Sequence, residues 1–227
     1  MLREYIAGEC DKYVVLLLRD YGKMTIRAKG AKRPKSKFQA ITAPLDCAEF
    51  VIYQGNGFLA LAGGSDIYHF DKIRGDYDKL CYAAYVLEMT ERTIMEGEDC
   101  GGILDLLMRT LNVIERGNIT LRLVRIIYEF KFLRINGYSP HIDDCAACGG
   151  ELLGEVFFFE YGTACEKCRQ GVALGETALY ALSRILEDDN PFNFEIDETA
   201  ANELRAAADL FIKAHNELEL KSTQFLV

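Results

Sequence analysis

The chain has 227 residues, half of them hydrophobic and 27% charged, with a net charge of -9. That is enough to bury a real core in one large or two small domains, and it excludes a largely disordered protein. No apolar run approaches the ~18 residues of a membrane span, and Arg3, Glu4, Glu9 and Asp11 interrupt the start, where a signal peptide needs an apolar stretch.

These features predict a cytosolic protein whose eight cysteines are poor disulfide candidates, so that clustered cysteines become metal candidates. Charge is unevenly divided. Residues 1–74 are net +4, and residues 75–227 are net -13. A nucleic-acid surface is therefore expected in the first part, and stability or protein contacts in the second.

In chain order, residues 12–18 read as a buried strand and 22–30 as the next, with Tyr21-Gly22 as the turn. Within residues 19–37 lie Arg19, Lys23, Arg27, Lys29, Lys32, Arg33, Lys35 and Lys37 against one acid, Asp20. Gly30 and Pro34 make the second half of this run a loop. A strand that feeds a Lys/Arg loop suits gripping phosphates without reading bases, while a solvated surface loop is the bland alternative. Tyr21 and Phe38 border the run and could either stack on bases or pack at a barrel edge. Residues 48–54 read as a further strand, Gly55-Asn56-Gly57 as a hairpin turn, 58–62 as its return and 66–70 as a last short strand. Five short strands without a helical period predict a small closed barrel, the OB type first among the candidates, a class that often binds single strands.

The period changes near residue 75. Helices are predicted over 76–96, 102–116, 119–136, 175–188 and 197–218, with Gly117 as a stop and Thr120 near a start. The expected fold is therefore α+β: an OB-fold barrel over 1–74, then an α-helical domain over 75–227 that contains a cysteine module at 141–172.

That module carries the most specific chemical signal. Cys145-Ala-Ala-Cys148 and Cys165-Glu-Lys-Cys168 are two CxxC pairs separated by sixteen residues, the spacing of a zinc ribbon. Each pair can aim two thiolates at one ion, and two pairs close a tetrahedral shell. Residues 155–161 read as the hairpin between the knuckles. With no open coordination position, one structural zinc ion is expected, its binding contributing to folding. A redox dithiol or an iron–sulfur centre is the alternative. Cys10, Cys47, Cys81 and Cys100 are scattered and read as small hydrophobes.

No P-loop, GxSxG, HExxH or GxGxxG occurs. His69 and His215 suggest no catalytic set, and His141, ahead of Asp143, Asp144 and Cys145, reads as the entrance to a knuckle. An enzyme is not expected.

The residues resemble one family, the bacterial RecO proteins of DNA repair, over nearly the whole chain. The resemblance is strongest at Asp20-Tyr-Gly-Lys-Met-Thr-Ile-Arg-Ala-Lys-Gly-Ala-Lys-Arg-Pro-Lys-Ser-Lys-Phe38. It continues through Pro44-Leu45, Phe130-Lys-Phe-Leu-Arg-Ile-Asn-Gly-Tyr-Ser-Pro140, the cysteine pairs and Leu220-Lys-Ser-Thr-Gln-Phe-Leu226. The stretch before Val14 matches poorly. The resemblance implies a nucleoid-associated recombination mediator. Such a protein binds single- and double-stranded DNA, anneals complementary strands, and works with RecR to load RecA onto DNA coated by single-strand-binding protein. It also implies that Arg122, Arg125, Lys131 and Arg134 could receive the acidic tail of single-strand-binding protein. Two other readings compete: a zinc-ribbon and OB scaffold that recruits proteins or RNA, and a nucleic-acid enzyme with an unrecognised site.

Overall fold

The computed structural model describes residues 1–55, 57–216 and 219–226. The fold is α+β, and the chain divides into two compact units, Met1–Glu115 with Leu220–Val227, and Arg116–Glu219.

The first unit is built on a five-stranded sheet of β1 (Arg3–Ala7), β2 (Asp11–Leu18), β3 (Gly22–Ala28), β4 (Cys47–Gln54) and β5 (Leu59–Tyr68). The order is β1-β2-β3-β5-β4, antiparallel except where β3 meets β5 in parallel at Arg27 and Ala60. This is an OB-like arrangement. Among the described residues no ladder joins β1 to β4; instead the Leu45 amide donates to the Met1 carbonyl just ahead of β4 (3.2 Å).

β2 is apolar on both faces. Val14 and Leu16 enter a core with Ile26, Ala28, Ala31, Phe38, Ile41 and Leu61, and Val15 and Leu17 on the other face are buried as well. At the β2–β3 turn, Gly22 has φ +72° and its missing Cβ leaves room for the backbone of Glu98, so a side chain there would be both strained and blocked.

Two details differ from the sequence expectation. β1 was not anticipated: it is a polar edge strand whose Glu4 pairs with Lys12 of β2 (2.6 Å). The two short strands expected at 58–62 and 66–70 are one continuous strand, β5, which pairs with β4 around a register shift at Val51/Ile52. Gln54 and Leu59 close the β4–β5 hairpin; Asn56, part of the expected turn, lies outside the described residues.

Helices α1 (Asp71–Arg74), α2 (Tyr77–Thr93) and α3 (Gly101–Arg116) follow. Asp76 caps α2 by accepting from the Lys79 amide (3.1 Å). Buried Glu115 accepts the Lys72 and Ile73 amides at the start of α1 (3.1 and 2.9 Å). The closing segment returns to α2, where the Glu88 carboxylate takes the Lys221 amide (3.0 Å) and the Ser222 amide (2.8 Å) and hydroxyl (2.5 Å). That contact gives a physical role to the Leu220–Leu226 stretch singled out in the sequence.

The second unit holds α4 (Leu121–Ile135), α5 (Glu176–Glu187), α6 (Glu198–His215) and a small sheet of β6 (Val156–Phe159), β7 (Gly162–Ala164) and β8 (Val172–Leu174), ordered β7-β6-β8. Thr120 and Asp197 cap α4 and α6 (3.4 and 2.8 Å). Residues 217 and 218, the expected end of the last helix, lie outside the described residues. In β6 the period of two divides the phenylalanines. Phe157 and Phe159 face the cysteine cluster, and Phe158 packs on Phe130 of α4 and Phe211 of α6 at centroid separations of 6.0 Å each. Among the described residues no helix is long and apolar enough to cross a membrane.

Candidate metal centre and nucleic-acid interface

The two CxxC pairs form equivalent turns. In the first, the Cys148 and Gly149 amides donate to the Cys145 carbonyl (3.2 and 2.7 Å); in the second, the Cys168 and Arg169 amides donate to the Cys165 carbonyl (3.0 and 2.9 Å). Gly149 and Arg169 hold matching left-handed conformations, with φ +69° and +44°. Gly171, φ +86°, passes against the Phe158 carbonyl where a Cβ would collide, so the chain leaves the second knuckle into β8 only through a glycine.

All four sulfur atoms lie within 4.8 Å of one another. A tetrahedron of ~2.3 Å zinc–sulfur bonds places its sulfurs about 3.8 Å apart, so the quartet fits such an ion. Cys145 and Cys165 are buried, Cys168 is half-buried and Cys148 is exposed. Amides of Cys165, Ala147 and Cys148 lower the Cys145 thiol to about 6, against the opposing effect of burial. Hydrogen bonds to Cys148 and Cys145 push Cys168 up to about 12. Cys145 ionises readily while Cys148 and Cys168 resist, a conflict that a bound dication removes.

No disulfide joins any of the eight cysteines. Cys81 and Cys100 are buried; Cys10 and Cys47 are half-buried. His141 is not part of the quartet. Its backbone pairs with Tyr161 and Thr163, and its Nε2 lies 2.6 Å from Asp144 Oδ1.

The basic run separates into two groups. Arg19, Lys23 and Arg27 have partners within the first unit. Arg19 pairs with Asp105 (2.6 Å), Lys23 donates to the Glu91 carbonyl (2.6 Å), and Arg27 pairs with Asp11 (2.7 Å). Lys29, Lys32, Arg33, Lys35 and Lys37 are exposed on the loop after β3. Among the described residues no carboxylate oxygen lies within 4.0 Å of these five amines and guanidinium groups, and Lys37 donates to the Ala62 carbonyl (2.6 Å).

The loop is held in shape. Ala31 and Phe38 anchor it in the core, successive turns run through the Arg33, Ser36 and Gln39 amides, and the Lys32 amide donates to the Cys10 carbonyl (3.0 Å). Phe38 is only 7% exposed, so it is a core anchor and not a base platform, whereas Tyr21 is open to solvent.

Asp11 escaped the sequence reading as a site residue. Its Oδ1 accepts the Gly30 amide (2.8 Å) and its Oδ2 the Arg27 guanidinium (2.7 Å). These contacts, the Gly30 amide first, hold its carboxyl below the usual range. Only the fold could reveal the pairing, because the partners lie 16 and 19 residues away.

The cations of α4 are not gathered on one face. Arg125 reaches Glu129 (2.8 Å) and Asp209 (3.7 Å), and Lys131 donates to the Leu186 and Asp188 carbonyls at the end of α5 (3.1 and 2.6 Å). Arg122 is half-buried and Arg134 exposed.

Two family models span these features. Residues 1–70 match the model described as "Recombination protein O N terminal", and residues 74–224 the one described as "Recombination protein O C terminal". The chain belongs to the RecO family. It is 28% identical over its whole length to a DNA repair protein RecO of Acetivibrio thermocellus and 29% to that of Exiguobacterium sibiricum, covering 93% of each. To the RecO of Listeria welshimeri it is 30% identical, again over the whole chain and 91% of that protein. The basic loop thus falls within the N-terminal RecO match and the cysteine quartet within the C-terminal one.

Proposed function

We propose that this RecO-family chain is a non-enzymatic recombination mediator in bacterial DNA repair that binds and anneals single strands. The observation that carries this reading is the exposed, backbone-anchored loop Lys29–Lys37. Its five cations can neutralise phosphates without reading sequence. Annealing then needs no acid or base, because shielding phosphate repulsion lets two strands approach. Residues 1–74 supply the DNA contact, centred on the loop, while Arg19, Lys23 and Arg27, expected from the sequence to extend the track, are engaged within their own unit. Residues 75–227 supply stability and partner contacts.

One structural zinc ion would be held by Cys145, Cys148, Cys165 and Cys168. By saturating its four thiolate ligands it supplies folding free energy and no chemistry. Cooperation with RecR, loading of RecA and capture of the tail of single-strand-binding protein belong to the same proposal, supported by the chain's membership of the RecO family. On α4 the tail would approach through Arg122 and Arg134, since Arg125 and Lys131 already serve Glu129 and the α5 carbonyls. A cytosolic, nucleoid-associated location accords with this role.

The test is annealing of complementary oligonucleotides coated with single-strand-binding protein. The native chain accelerates it, and a chain with Lys32, Arg33, Lys35 and Lys37 changed to Ala does not. Equal rates in the two would overturn the reading and favour a protein- or RNA-recruiting scaffold.

A further inference from the structure

We propose that Cys148 is a peroxide-sensitive modification site, whose oxidation joins it to Cys165 and opens the metal centre. The proposal rests on the reading of the four cysteines as a zinc site, and adds a reaction that a merely structural site does not require.

The four sulfurs are unequally shielded. Cys145 and Cys165 are buried in a cluster with Phe157 and Phe159, and Cys168 is half-buried, whereas Cys148 is exposed. A hollow of about 630 Å³ opens beside it, and of the quartet only Cys148 and Cys165 line it. Two glycines on its wall keep it clear. A Cβ on Gly150 would lie 3.4 Å from Cys148 Sγ, and one on Gly154 would meet the Glu166 carboxylate. Gly154 also has φ +74°, a conformation that a side chain would strain.

The wall selects the reagent. Glu151, Glu166 and Lys167 give it one net negative charge. A small uncharged oxidant such as hydrogen peroxide enters freely, while an anionic disulfide such as oxidised glutathione is repelled.

The chemistry takes two steps. The Cys148 thiolate attacks one peroxide oxygen. An S–O bond forms, the O–O bond breaks, and the departing hydroxide takes a proton and leaves as water. Cys165 Sγ lies 3.9 Å from Cys148 Sγ. Its thiolate attacks the sulfenic sulfur, the S–S bond forms, the S–O bond breaks, and the second hydroxide takes a proton and leaves as water. Two thiolates thus give two electrons to one peroxide, with two protons consumed. The disulfide runs between the knuckles and takes one ligand from each, so neither turn keeps the pair of thiolates that an ion needs.

The consequence reaches the helices of the second unit. Cys165 directly follows β7, and the Ala146 amide of the first knuckle donates to the Thr163 carbonyl of that strand (2.8 Å). β7 pairs with β6, whose Phe158 packs on Phe130 and Phe211. Loss of the ion therefore loosens the support of this aromatic cluster, and reduction of the disulfide restores it.

The experiment treats the full chain, as purified with its zinc, with hydrogen peroxide. A chromophoric chelator reads the metal released, and peptide mass mapping locates the disulfides. One zinc is released per Cys148–Cys165 disulfide, Cys10, Cys47, Cys81 and Cys100 stay reduced, and dithiothreitol with added zinc restores the starting state. Gly150→Val keeps all four ligands but covers Cys148 Sγ; it carries zinc and releases it at least about fivefold more slowly. A first disulfide within one CxxC pair, or zinc retained under excess peroxide, overturns the proposal in the native chain and requires no variant to fold. Release from zinc-loaded Gly150→Val at the native rate overturns the hollow as the route. Absence of zinc from the native chain overturns the zinc reading itself, and the proposal with it.

Discussion

The exposed loop makes a quantitative claim about salt. Binding to a single strand releases counterions, and log K falls with log salt by about 0.7 per phosphate neutralised. If each of Lys29, Lys32, Arg33, Lys35 and Lys37 contacts one phosphate, the slope is about -3.5, and raising salt from about 50 to about 200 mM weakens binding about 100-fold. Changing Lys32, Arg33, Lys35 and Lys37 to Ala leaves Lys29, a slope of about -0.7 and a weakening of only about threefold. The substitutions should not unfold the loop, because its anchors are Ala31, Phe38 and backbone hydrogen bonds rather than these amines. Anisotropy titrations of the two chains at four or more salt concentrations measure both slopes. A slope that the fourfold variant shares with the native chain would refute the assignment of the phosphates to this loop.

Three further outcomes are expected. The native chain carries one tightly bound zinc per molecule by elemental analysis, and Cys145→Ser loses it with a fall in melting temperature of at least about 10 °C; a metal-free variant that melts with the native chain would contradict the structural role. Glu88 holds the closing segment as a carboxylate. Burial raises its pKa, but the Ser222 hydroxyl and the Ser222 and Lys221 amides outweigh that and depress it below 4.5. A depressed carboxylate stabilises docking above its unfolded pKa, and that stability is lost as pH falls through the folded value. The Ser222 amide resonance should therefore stay native-like through neutral pH and move only in acid below pH 4.5, and Glu88→Gln should shift it already at neutral pH. Finally, Glu129 is buried between Arg125 and Arg205, whose side chains are 13% and 11% exposed. Glu129→Gln removes the buried one of two carboxylates that face both guanidinium groups, the other being the exposed Asp209, and should cost up to roughly 3–5 kcal/mol in urea unfolding; a cost under about 1 kcal/mol would mean that Asp209 and solvent compensate the loss.

What was legible in the sequence follows from how local each signal is. The run Val14–Leu17 announced β2 because it is buried on both faces, and the CxxC pairs announced their quartet because each turn is made within four residues. β1 was hidden because its polar residues Arg3 and Glu4 act through Glu91 and Lys12, partners that no period reveals. Gly63-Gly64-Ser65 reads as a break, yet β5 continues through it. A Cβ on Gly64 would meet the Glu49 carbonyl, so the glycine allows close approach of β4 inside a strand rather than ending one. On α4 the cations were visible and their partners were not: Asp209 and the α5 carbonyls lie 84 and 55 to 57 residues away.

The same long-range pairing narrows the electrostatic meaning of the basic run. By sequence its eight cations form one block. In the fold, Asp105 and Asp11 neutralise Arg19 and Arg27, and a backbone carbonyl holds Lys23 against α2. These three sit on or beside the strands, where they bind the sheet to its own unit. The remaining five stand together on the loop, and the acid that shapes it, Asp11, is spent on Arg27 and Gly30. The field offered to a polyanion is thus concentrated at the loop by the acidic residues around it. A chain of net charge -9 can present a cationic grip because, among the described residues, no carboxylate pairs with the five loop cations, and the grip is concentrated at the loop rather than spread along the whole of residues 19–37.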